Sequence, residues 1–368
     1  MKIRFLINSL STGGAENVLS VLANELVKEN DVEIIFLEKN EFYELDNRIK
    51  KTYLSKFIGK EKGVKKFFYI FVFAWRLKNY IKQNNIKFIQ SHLFRANYIN
   101  VLAKLLGANH KAQLVTAGRI SRYKELGTIG KINLFLISIL YAKADLLILK
   151  SLGMKKDMQN LFNFRNKHVV IHNPCDINKI EKLSKEKINN FEFCKNNKYL
   201  ISVGRLIKLK RHNEIIEILP RLDENIELII LGSGEEKERL ESLSKNLGLE
   251  ARVHFLGQVK NPYKYLAKSD IFVSCSESEG FPNVLVEAMV CKVPVISSDC
   301  LSGPREILGN NEFGLLFDVG NKKQLFNHIN FLLANEDLKY EYIRKAKKRS
   351  YDFSLEKIIK KYKKVLHE

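Results

Sequence analysis

The sequence predicts an α/β protein made of two doubly wound, Rossmann-like domains that face each other across a cleft. Short, mostly apolar runs, such as residues 3–7, 32–37 and 227–231, alternate with stretches that repeat apolar residues at helical spacing. Strands that are apolar on both faces are typical of parallel sheets covered by helices on both sides. This alternation of strand-like and helix-like segments is interrupted once, in the Asn-, Lys- and Glu-rich segment 174–198, and then resumes. A chain of 368 residues has room for two such domains.

The N-terminal domain is expected to comprise residues 1–173, followed by a linker at 174–198 and a C-terminal domain at 199–353. The predicted strands of the first domain are residues 3–7, 32–37, 87–91, 112–116, 146–149 and 168–172. Those of the second domain are residues 199–203, 227–231, 253–256, 271–274 and 294–297. In open sheets of this kind ligands bind outside the carboxyl ends of the strands, so the loops there are the candidate sites.

Positive charge is concentrated in one region of the chain. The net charge is +21, and residues 51–170 hold 23 Lys and Arg against four acidic residues. Such a region suits an anionic lipid surface, a pyrophosphate-bearing substrate or nucleic acid, with a solvated lysine-rich surface as the structural alternative. No helix-turn-helix, RNA-binding or zinc pattern accompanies the charge, so we predict no nucleic-acid partner.

The cysteines and apolar segments predict a cytoplasmic protein. Five cysteines without a C-x-x-C pair are expected to be reduced thiols, and the first ten residues look like a strand rather than a secretory signal. The apolar stretches at 67–75 and 132–149 are too short or too interrupted for a membrane span of about 20 residues.

The strongest candidate site is the segment 278–287, which follows a predicted strand and enters a helix near Pro282. Glu279 then lies in the loop, Glu287 lies inside the helix, and the amides around Gly280 favour a phosphate. The two acids could hold a sugar hydroxyl and a ribose. The structural alternative is a pair of ordinary glutamates near a helix start.

A cationic element follows the first strand of the second domain. Arg205 can form a forked contact with a phosphate, and Lys210 supplies a point charge. Both therefore suit the negative charge that develops on a departing nucleoside diphosphate.

Two glycine-rich turns also follow predicted strands. The backbone at Gly13 and Gly14 could approach an anion at a helix start, although a tight turn explains the pair equally well. The turn at Gly232 and Gly234 lacks the third glycine of a dinucleotide fingerprint, since Lys237 stands there, and NAD binding is rejected.

Together these three sites resemble glycosyltransferase family 4, a retaining, metal-independent family with the GT-B fold. The likeness rests on Gly13–Glu16, on Gly204-Arg205 with Lys210, and on Glu279 and Glu287 in their Glu-Gly-Phe-Pro context. It runs over essentially the whole chain. The segments 261–265 and 302–308 are most similar to N-acetylgalactosamine transferases of bacterial N-linked glycan assembly, which extend an undecaprenyl-diphosphate-linked oligosaccharide from UDP-GalNAc.

The resemblance implies roles for individual residues. Arg205, Lys210 and Glu279 would be catalytic, with the two cations on the diphosphate and Glu279 on a donor-sugar hydroxyl. The remaining implied donor-binding residues are Gly14, Val259, Gly280, Phe281, Pro282, Asn283, Val284 and Glu287. Among these, Glu287 would bind the ribose and the backbone at Val259 would meet the base. A C-terminal helix at about 354–368 would cross back onto the first domain.

The chain departs from the family at one position. Many members place a histidine in the loop after the strand at 112–116, where this chain has Thr116-Ala117-Gly118-Arg119. We therefore consider Arg119 and His92 as candidate acceptor contacts, with a buried or surface imidazole as the alternative for His92. The eleven aspartates include no Asp-x-Asp pair, and no Cys/His cluster has metal-ligand spacing, so we expect no metal or other cofactor.

The basic N-terminal domain should face the acceptor, a polyprenyl-diphosphate-linked glycan. The segment 65–76 combines an aromatic run with flanking cations, which favours an anionic bilayer surface. We expect Lys65 and Lys66 to meet the lipid diphosphate at the inner face of the plasma membrane. A buried core helix is the alternative for this segment.

Other activities on the same fold remain open at this point. They are a hexosyltransferase of O-antigen or capsule synthesis that uses another UDP- or GDP-sugar, a sugar-nucleotide epimerase, and a catalytically silent sugar-binding relative. An epimerase would act without an acceptor, and a silent relative would bind UDP without turnover.

Overall fold

The computed structural model describes residues 1–11, 13–55 and 64–366, with the backbone alone for residues 64–68. It divides the chain into two compact units. The first comprises Met1–Pro174 and the C-terminal segment from Glu356, and the second comprises Cys175–Leu355. Each unit has its own parallel sheet, so the prediction of two doubly wound domains is confirmed.

The first unit contains a seven-stranded parallel sheet in the order β3-β2-β1-β4-β5-β6-β7. Its strands are β1 Lys2–Ile7, β2 Asp31–Phe36, β3 Lys50–Tyr53, β4 Phe88–His92, β5 Lys111–Thr116, β6 Leu146–Leu149 and β7 Lys167–Val170. The inner strands are buried on both faces because helices cover both sides. The edge strand β3 was not predicted, since its Lys-Lys-Thr-Tyr sequence lacks an apolar run.

Five helices connect these strands: α1 Gly14–Leu26, α2 Val64–Gln83, α3 Phe94–Leu105, α4 Gly127–Leu140 and α5 Leu152–Leu161. Right-handed crossovers place α1 on one face of the sheet and α2 to α5 on the other. Helix α3 contacts both α2 and α4 and is buried over most of its circumference. The outer faces of α2 and α4 remain exposed.

The second unit contains a six-stranded parallel sheet in the order β10-β9-β8-β11-β12-β13. Its strands are β8 Lys198–Val203, β9 Ile226–Leu231, β10 Val253–Gly257, β11 Ile271–Ser274, β12 Val295–Ser298 and β13 Leu315–Phe317. Its helices are α6 Ile177–Leu183, α7 Asn213–Ile218, α8 Lys237–Asn246, α9 Tyr263–Leu266, α10 Asn283–Val290, α11 Pro304–Leu308, α12 Lys322–Ala334 and α13 Glu336–Ser350. In this order β8 and β11 are adjacent at the centre of the sheet. The strands from β8 to β10 are added towards one edge and those from β11 to β13 towards the other, so the strand order reverses between β8 and β11.

The segment 174–198, predicted to be a linker, contains one helix. Helix α6 lies within it, capped by the Asp176 side chain, which accepts a hydrogen bond of 3.0 Å from the Lys179 amide. Ile177 and Ile180 are buried in the core of the second unit. Their i, i+3 spacing was hidden by the polar residues around them, so the segment looked unstructured in sequence.

The last helix, α14 Leu355–Leu366, packs on the sheet of the first unit. Gln113 donates a hydrogen bond of 3.0 Å to the Val365 carbonyl, and the buried Lys150 donates one to the Tyr362 hydroxyl. Burial lowers the pKa of Lys150 to about 7. The helix is therefore tied to its unit by polar contacts as well as by apolar packing.

Within the described residues, no helix is both long enough and apolar enough to cross a membrane.

Candidate active site

The two strongest sequence elements lie side by side at the carboxyl edge of the second sheet. Strands β8 and β11 are hydrogen-bonded neighbours, and each is followed by one of the predicted loops. The loops are also joined through their backbones, since the Glu277 amide donates a hydrogen bond of 2.9 Å to the Leu209 carbonyl. Segments almost seventy residues apart in sequence therefore form one site.

The centre of this site is a contact between Lys210 and Glu279. The Lys210 ammonium donates a hydrogen bond to Oε1 of Glu279, and the two side chains are only 20% and 13% exposed. A half-buried pair is screened by water less than a surface pair. The sequence placed both residues in one site, but it did not predict that they would bind each other.

Helix α10 starts directly after this loop, at Asn283. The positive end of its dipole therefore lies at the same edge of the sheet as the loop that carries Lys210. Asn283 and Val284, both half-buried, form its first turn, while the Phe281 ring is buried against Phe353 with ring centroids 5.3 Å apart. The Phe281 ring thus anchors the loop, and Gly280 and Pro282 join it to the helix.

A second loop, which the sequence did not predict as part of the site, supports the first. The buried Ser302 hydroxyl donates a hydrogen bond to the Glu279 carbonyl. Gly303 has φ +96°, and a Cβ there would lie 2.5 Å from Cδ of Pro282. The neighbouring Ser298 hydroxyl donates a bond of 2.6 Å to the Ser276 carbonyl. These contacts hold the backbone that carries Glu279, and the Ser-Gly-Pro sequence at 302–304 was the available signal.

Two arginines contribute differently to the site. Arg205 follows β8 directly and is exposed, so its guanidinium is accessible to a ligand. Arg211 was not singled out from sequence. It adopts φ +49°, binds the buried Glu214 through Nε at 2.6 Å, and lies 3.8 Å from Glu277. Arg211 therefore ties helix α7 to the loop after β11.

Glu287 lies on α10, one helical turn beyond its first residues. The residue keeps some exposed surface, while burial of its carboxyl raises the pKa of Glu287 to about 7. Its negative charge also helps to raise the pKa of the Cys175 and Cys291 thiols, whose main perturbation is burial. Burial is the only cause of this raised pKa. A pair of hydroxyl donors could therefore satisfy the buried carboxyl.

The Gly232–Gly234 turn has a packing function. A Cβ at Gly232 would lie 1.8 Å from the Gly204 carbonyl oxygen, and one at Gly234 would lie 2.2 Å from that of Leu206. These glycines allow the loops after β8 and β9 to touch. Val259, in the loop after β10, packs against the core of the same unit.

The candidate residues of the first unit have varied environments. Gly14 begins α1, and a Cβ there would meet no atom within 4 Å. Arg119 is largely buried, lies 3.7 Å from the Asp157 carboxylate and donates a hydrogen bond to Ser121. The side chains of Lys65 and Lys66 lie outside the described residues.

His92, a candidate acceptor contact on sequence grounds, is buried. It is 2% exposed, packs edge-on against Phe5 and lies 3.2 Å from the Gln90 side-chain oxygen. Burial, together with the nearby Lys150 ammonium, lowers the pKa of His92 well below its usual value. The buried-imidazole alternative therefore describes this residue, because strand β4 directs it into the core.

In the described part of the chain, no three or more His, Cys, Asp and Glu side chains are grouped as metal ligands would be.

Two family models together match almost the whole chain. The model described as Glycosyltransferase Family 4 matches residues 12–179, and the model described as Glycosyl transferases group 1 matches residues 184–349. The boundary between the two matches lies close to the boundary between the two structural units.

Two relatives from Campylobacter jejuni align over nearly their full lengths. One, named N-acetylgalactosamine-N,N'-diacetylbacillosaminyl-diphospho-undecaprenol 4-alpha-N-acetylgalactosaminyltransferase, is 35% identical over 97% of each chain. The other, named GalNAc-alpha-(1->4)-GalNAc-alpha-(1->3)-diNAcBac-PP-undecaprenol alpha-1,4-N-acetyl-D-galactosaminyltransferase, is 30% identical over 100% of this chain and 99% of the relative.

Solved structures share the fold at lower identity. HepE from Anabaena, in complex with UDP, has a TM-score of 0.79 at 21% identity, covering 100% of both chains. Sucrose-phosphate synthase from Thermosynechococcus elongatus has a TM-score of 0.85 at 17% identity, covering 100% of this chain and 98% of the other.

Proposed function

We propose an activity for this chain on the premise that it belongs to glycosyltransferase family 4, as the family models and the Campylobacter relatives show. It transfers an N-acetylhexosamine from UDP to an undecaprenyl-diphosphate-linked oligosaccharide. The first choice of sugar is GalNAc. The transfer retains the anomeric configuration and needs no metal. The chain is a glycosyltransferase with the GT-B fold. The acceptor class follows the names of the two Campylobacter relatives. The product belongs to bacterial N-linked or surface glycan assembly.

The observation that carries the proposal is the contact of Lys210 with Glu279 beside the N-terminus of α10. Three sources of positive potential, namely Lys210, the exposed Arg205 and the helix dipole, lie on loops at one edge of one sheet. A diphosphate placed there meets positive potential without a divalent ion. This is the charge arrangement that departure of UDP requires.

In the proposed step, an acceptor hydroxyl attacks the anomeric carbon from the face that UDP leaves. The bond from that carbon to the phosphate oxygen breaks, and the bond to the acceptor oxygen forms. The acceptor proton moves to the leaving phosphate, so no protein base is needed. Arg205 and Lys210 stabilise the charge that accumulates on this phosphate.

The Lys210–Glu279 pair would change partners when the donor arrives. Without donor, each side chain neutralises the other in a half-buried place. With donor, Lys210 lies between two anions, the carboxylate and the diphosphate, while the second oxygen of Glu279 accepts a sugar hydroxyl. Ser302 and Gly303 keep the loop in place during this exchange.

The pKa of Glu287 predicts a pH-dependent donor affinity. The ionised carboxylate accepts both ribose hydroxyls, whereas the protonated form does so less well. Because burial raises the pKa to about 7, protonation occurs as the pH falls through that value, and the KM for the donor should rise about tenfold from pH 8 to pH 6. The measurement should use the UDP-sugar rather than UDP, since the terminal phosphate of UDP titrates in the same range.

Glu287→Gln provides the control for this prediction. Its side chain does not titrate, so its donor KM should be high at pH 8 and constant down to pH 6. A wild-type KM that stays flat over this range, together with an unchanged KM in Glu287→Gln, would exclude Glu287 from donor binding.

The proposed reaction is tested by measuring UDP release against a panel of nucleotide sugars, with and without a short-chain polyprenyl-diphosphate glycan. We expect UDP-GalNAc to give acceptor-dependent release and a product with the donor's α configuration, read from its anomeric proton coupling. A β-linked product would contradict retention. Conversion of the nucleotide sugar without acceptor would indicate an epimerase.

A second candidate is a hexosyltransferase of surface polysaccharide synthesis that uses another UDP- or GDP-sugar. A relative named Amylovoran biosynthesis glycosyltransferase AmsD, from Erwinia amylovora, is 26% identical over 100% of this chain and supports this alternative. The same panel separates the two candidates by their donor.

We propose that the enzyme works at the inner face of the plasma membrane as a peripheral protein. The support is the membrane-bound nature of the proposed acceptor and the excess of Lys and Arg in residues 51–170.

A further inference from the structure

Helix α4 presents an apolar stripe to solvent. Its inner side is buried through Gly130, Ile137 and Leu140. The outer side carries four large apolar residues that are exposed by 45–70%, namely Ile129, Ile132, Phe135 and Ile139. Their spacing of three or four residues keeps them on one side of the helix. Neither the motifs nor the candidate active site explains this surface.

Helix α2 adds to the same side of the first unit. Phe73, Ala74 and Leu77 are buried, while Phe71 and Trp75 are exposed by 52% and 57%. Both helices flank α3 on one face of the sheet, and Ile70 of α2 packs against the cores on both sides of α3. The segment 65–76 is therefore neither entirely buried nor entirely exposed in its described part.

Three adjacent helices of this layer, α2, α3 and α4, carry no negative charge, while α5 on the same face contains Asp157, which lies 3.7 Å from Arg119. Helices α2, α3 and α4 contain no Asp or Glu, whereas α1 on the opposite face contains Glu16 and Glu25. Exposed cations that form no salt bridge with a described residue border the α4 stripe: Arg122, Lys124, Lys131 and Lys143. Glu125 is the one acidic residue in the adjoining turn.

We infer that the outer faces of α4 and α2 form the contact with an anionic lipid bilayer. Apolar and aromatic side chains bordered by cations favour the interface of such a membrane. A symmetric pair of copies would instead bring cations against cations, which opposes self-association through this surface. The choice of a membrane as the occupant rests on the proposed lipid-linked acceptor.

Trp75 allows a direct test because it is the only tryptophan of the chain. The full-length protein is mixed with vesicles of phosphatidylcholine, with or without about one third phosphatidylglycerol, in the absence of donor and acceptor. We expect the Trp75 emission to shift to the blue and to be quenched by brominated lipid with anionic vesicles only. High salt should weaken this binding.

The decisive variant is Ile132→Ser with Phe135→Ser, which alters α4 and leaves Trp75 in place. Vesicle affinity should fall at least about 30-fold, because two exposed apolar side chains no longer enter the lipid. The control is Leu247→Ser with Phe331→Ser, two apolar residues of similar exposure in the second unit, 41% and 40%. It should bind vesicles like the wild type.

Lys124→Gln with Lys131→Gln tests the electrostatic part. Removing two cations should lower affinity for anionic vesicles about tenfold or more. Binding that is unchanged in the Ile132→Ser, Phe135→Ser variant would overturn the inference. The inference would also be overturned if the wild-type protein did not bind vesicles and instead formed dimers that the Ile132→Ser, Phe135→Ser variant did not form.

A water-soluble short-chain acceptor separates this inference from the proposed function. The Ile132→Ser, Phe135→Ser variant should transfer sugar to that acceptor at the wild-type rate. If the wild-type protein bound vesicles but transferred no sugar to this acceptor, the proposed function would be refuted. The inferred membrane surface would not be affected.

Discussion

Replacing Lys210 with alanine is expected to lower turnover by about 10²–10³-fold, or about 3–4 kcal/mol of transition-state stabilisation. The Lys210 ammonium lies at the carboxyl edge of the second sheet, beside Glu279 and the start of α10. A positive charge in a half-buried place stabilises the developing phosphate charge more strongly than one in open water. The loss should appear mainly in kcat, because this charge is greatest in the transition state.

Lys208 provides a matched control for this variant. It lies in the same short turn, Lys208–Lys210, but its side chain is exposed, and it forms no ion pair with a described residue. Lys208→Ala should retain nearly full turnover. Equal losses in both variants would attribute the effect to general charge near the site, and near-wild-type turnover in Lys210→Ala would refute its catalytic role.

Glu279→Gln is expected to reduce turnover about 10²-fold, since hydrogen bonds to charged groups are worth about 1.5–3 kcal/mol. The glutamine keeps the size of the side chain and the Ser302 contact, which involves the main-chain carbonyl. It loses the negative charge that binds Lys210, and with it the strong acceptor that we propose for the sugar hydroxyl. Because the size and the Ser302 contact are kept, thermal unfolding should be little changed while turnover falls.

The control for Glu279 is Glu277→Gln, in the same loop. The Glu277 side chain is 53% exposed, and its nearest cation, Arg211, is 3.8 Å away. This variant should keep most of its turnover. If Glu279→Gln were as active as Glu277→Gln, the assignment of Glu279 to the donor sugar would be wrong.

Much of the fold could be predicted because buried parallel strands are conspicuous in sequence. Strand β1, with Phe5, Leu6 and Ile7 all buried, has the continuous apolar pattern that such a position imposes. The edge strand β3 lacks such a run, and the run of β13 is only three residues long, so neither strand was predicted. Helix α6 was missed because only Ile177 and Ile180 of its polar sequence pack into a core.

The contacts within the candidate site could not be predicted from the sequence. The pairing of Lys210 with Glu279 depends on β8 lying next to β11, and strand order is not visible in a local pattern. The same holds for Ser302, which acts through a main-chain carbonyl 23 residues away. His92 had the right chemistry and the right strand end, yet the strand directs its ring inward against Phe5.

The measurement that tests the central claim most directly is turnover after all divalent metal has been removed. The claim is that Arg205, Lys210 and the first turn of α10 neutralise the leaving diphosphate themselves. Enzyme dialysed against EDTA and assayed in its presence should keep its full turnover, and Lys210→Ala should stay slow whether or not magnesium or manganese is added. Loss of wild-type turnover in EDTA, restored by magnesium or manganese, would show that a metal ion supplies this charge.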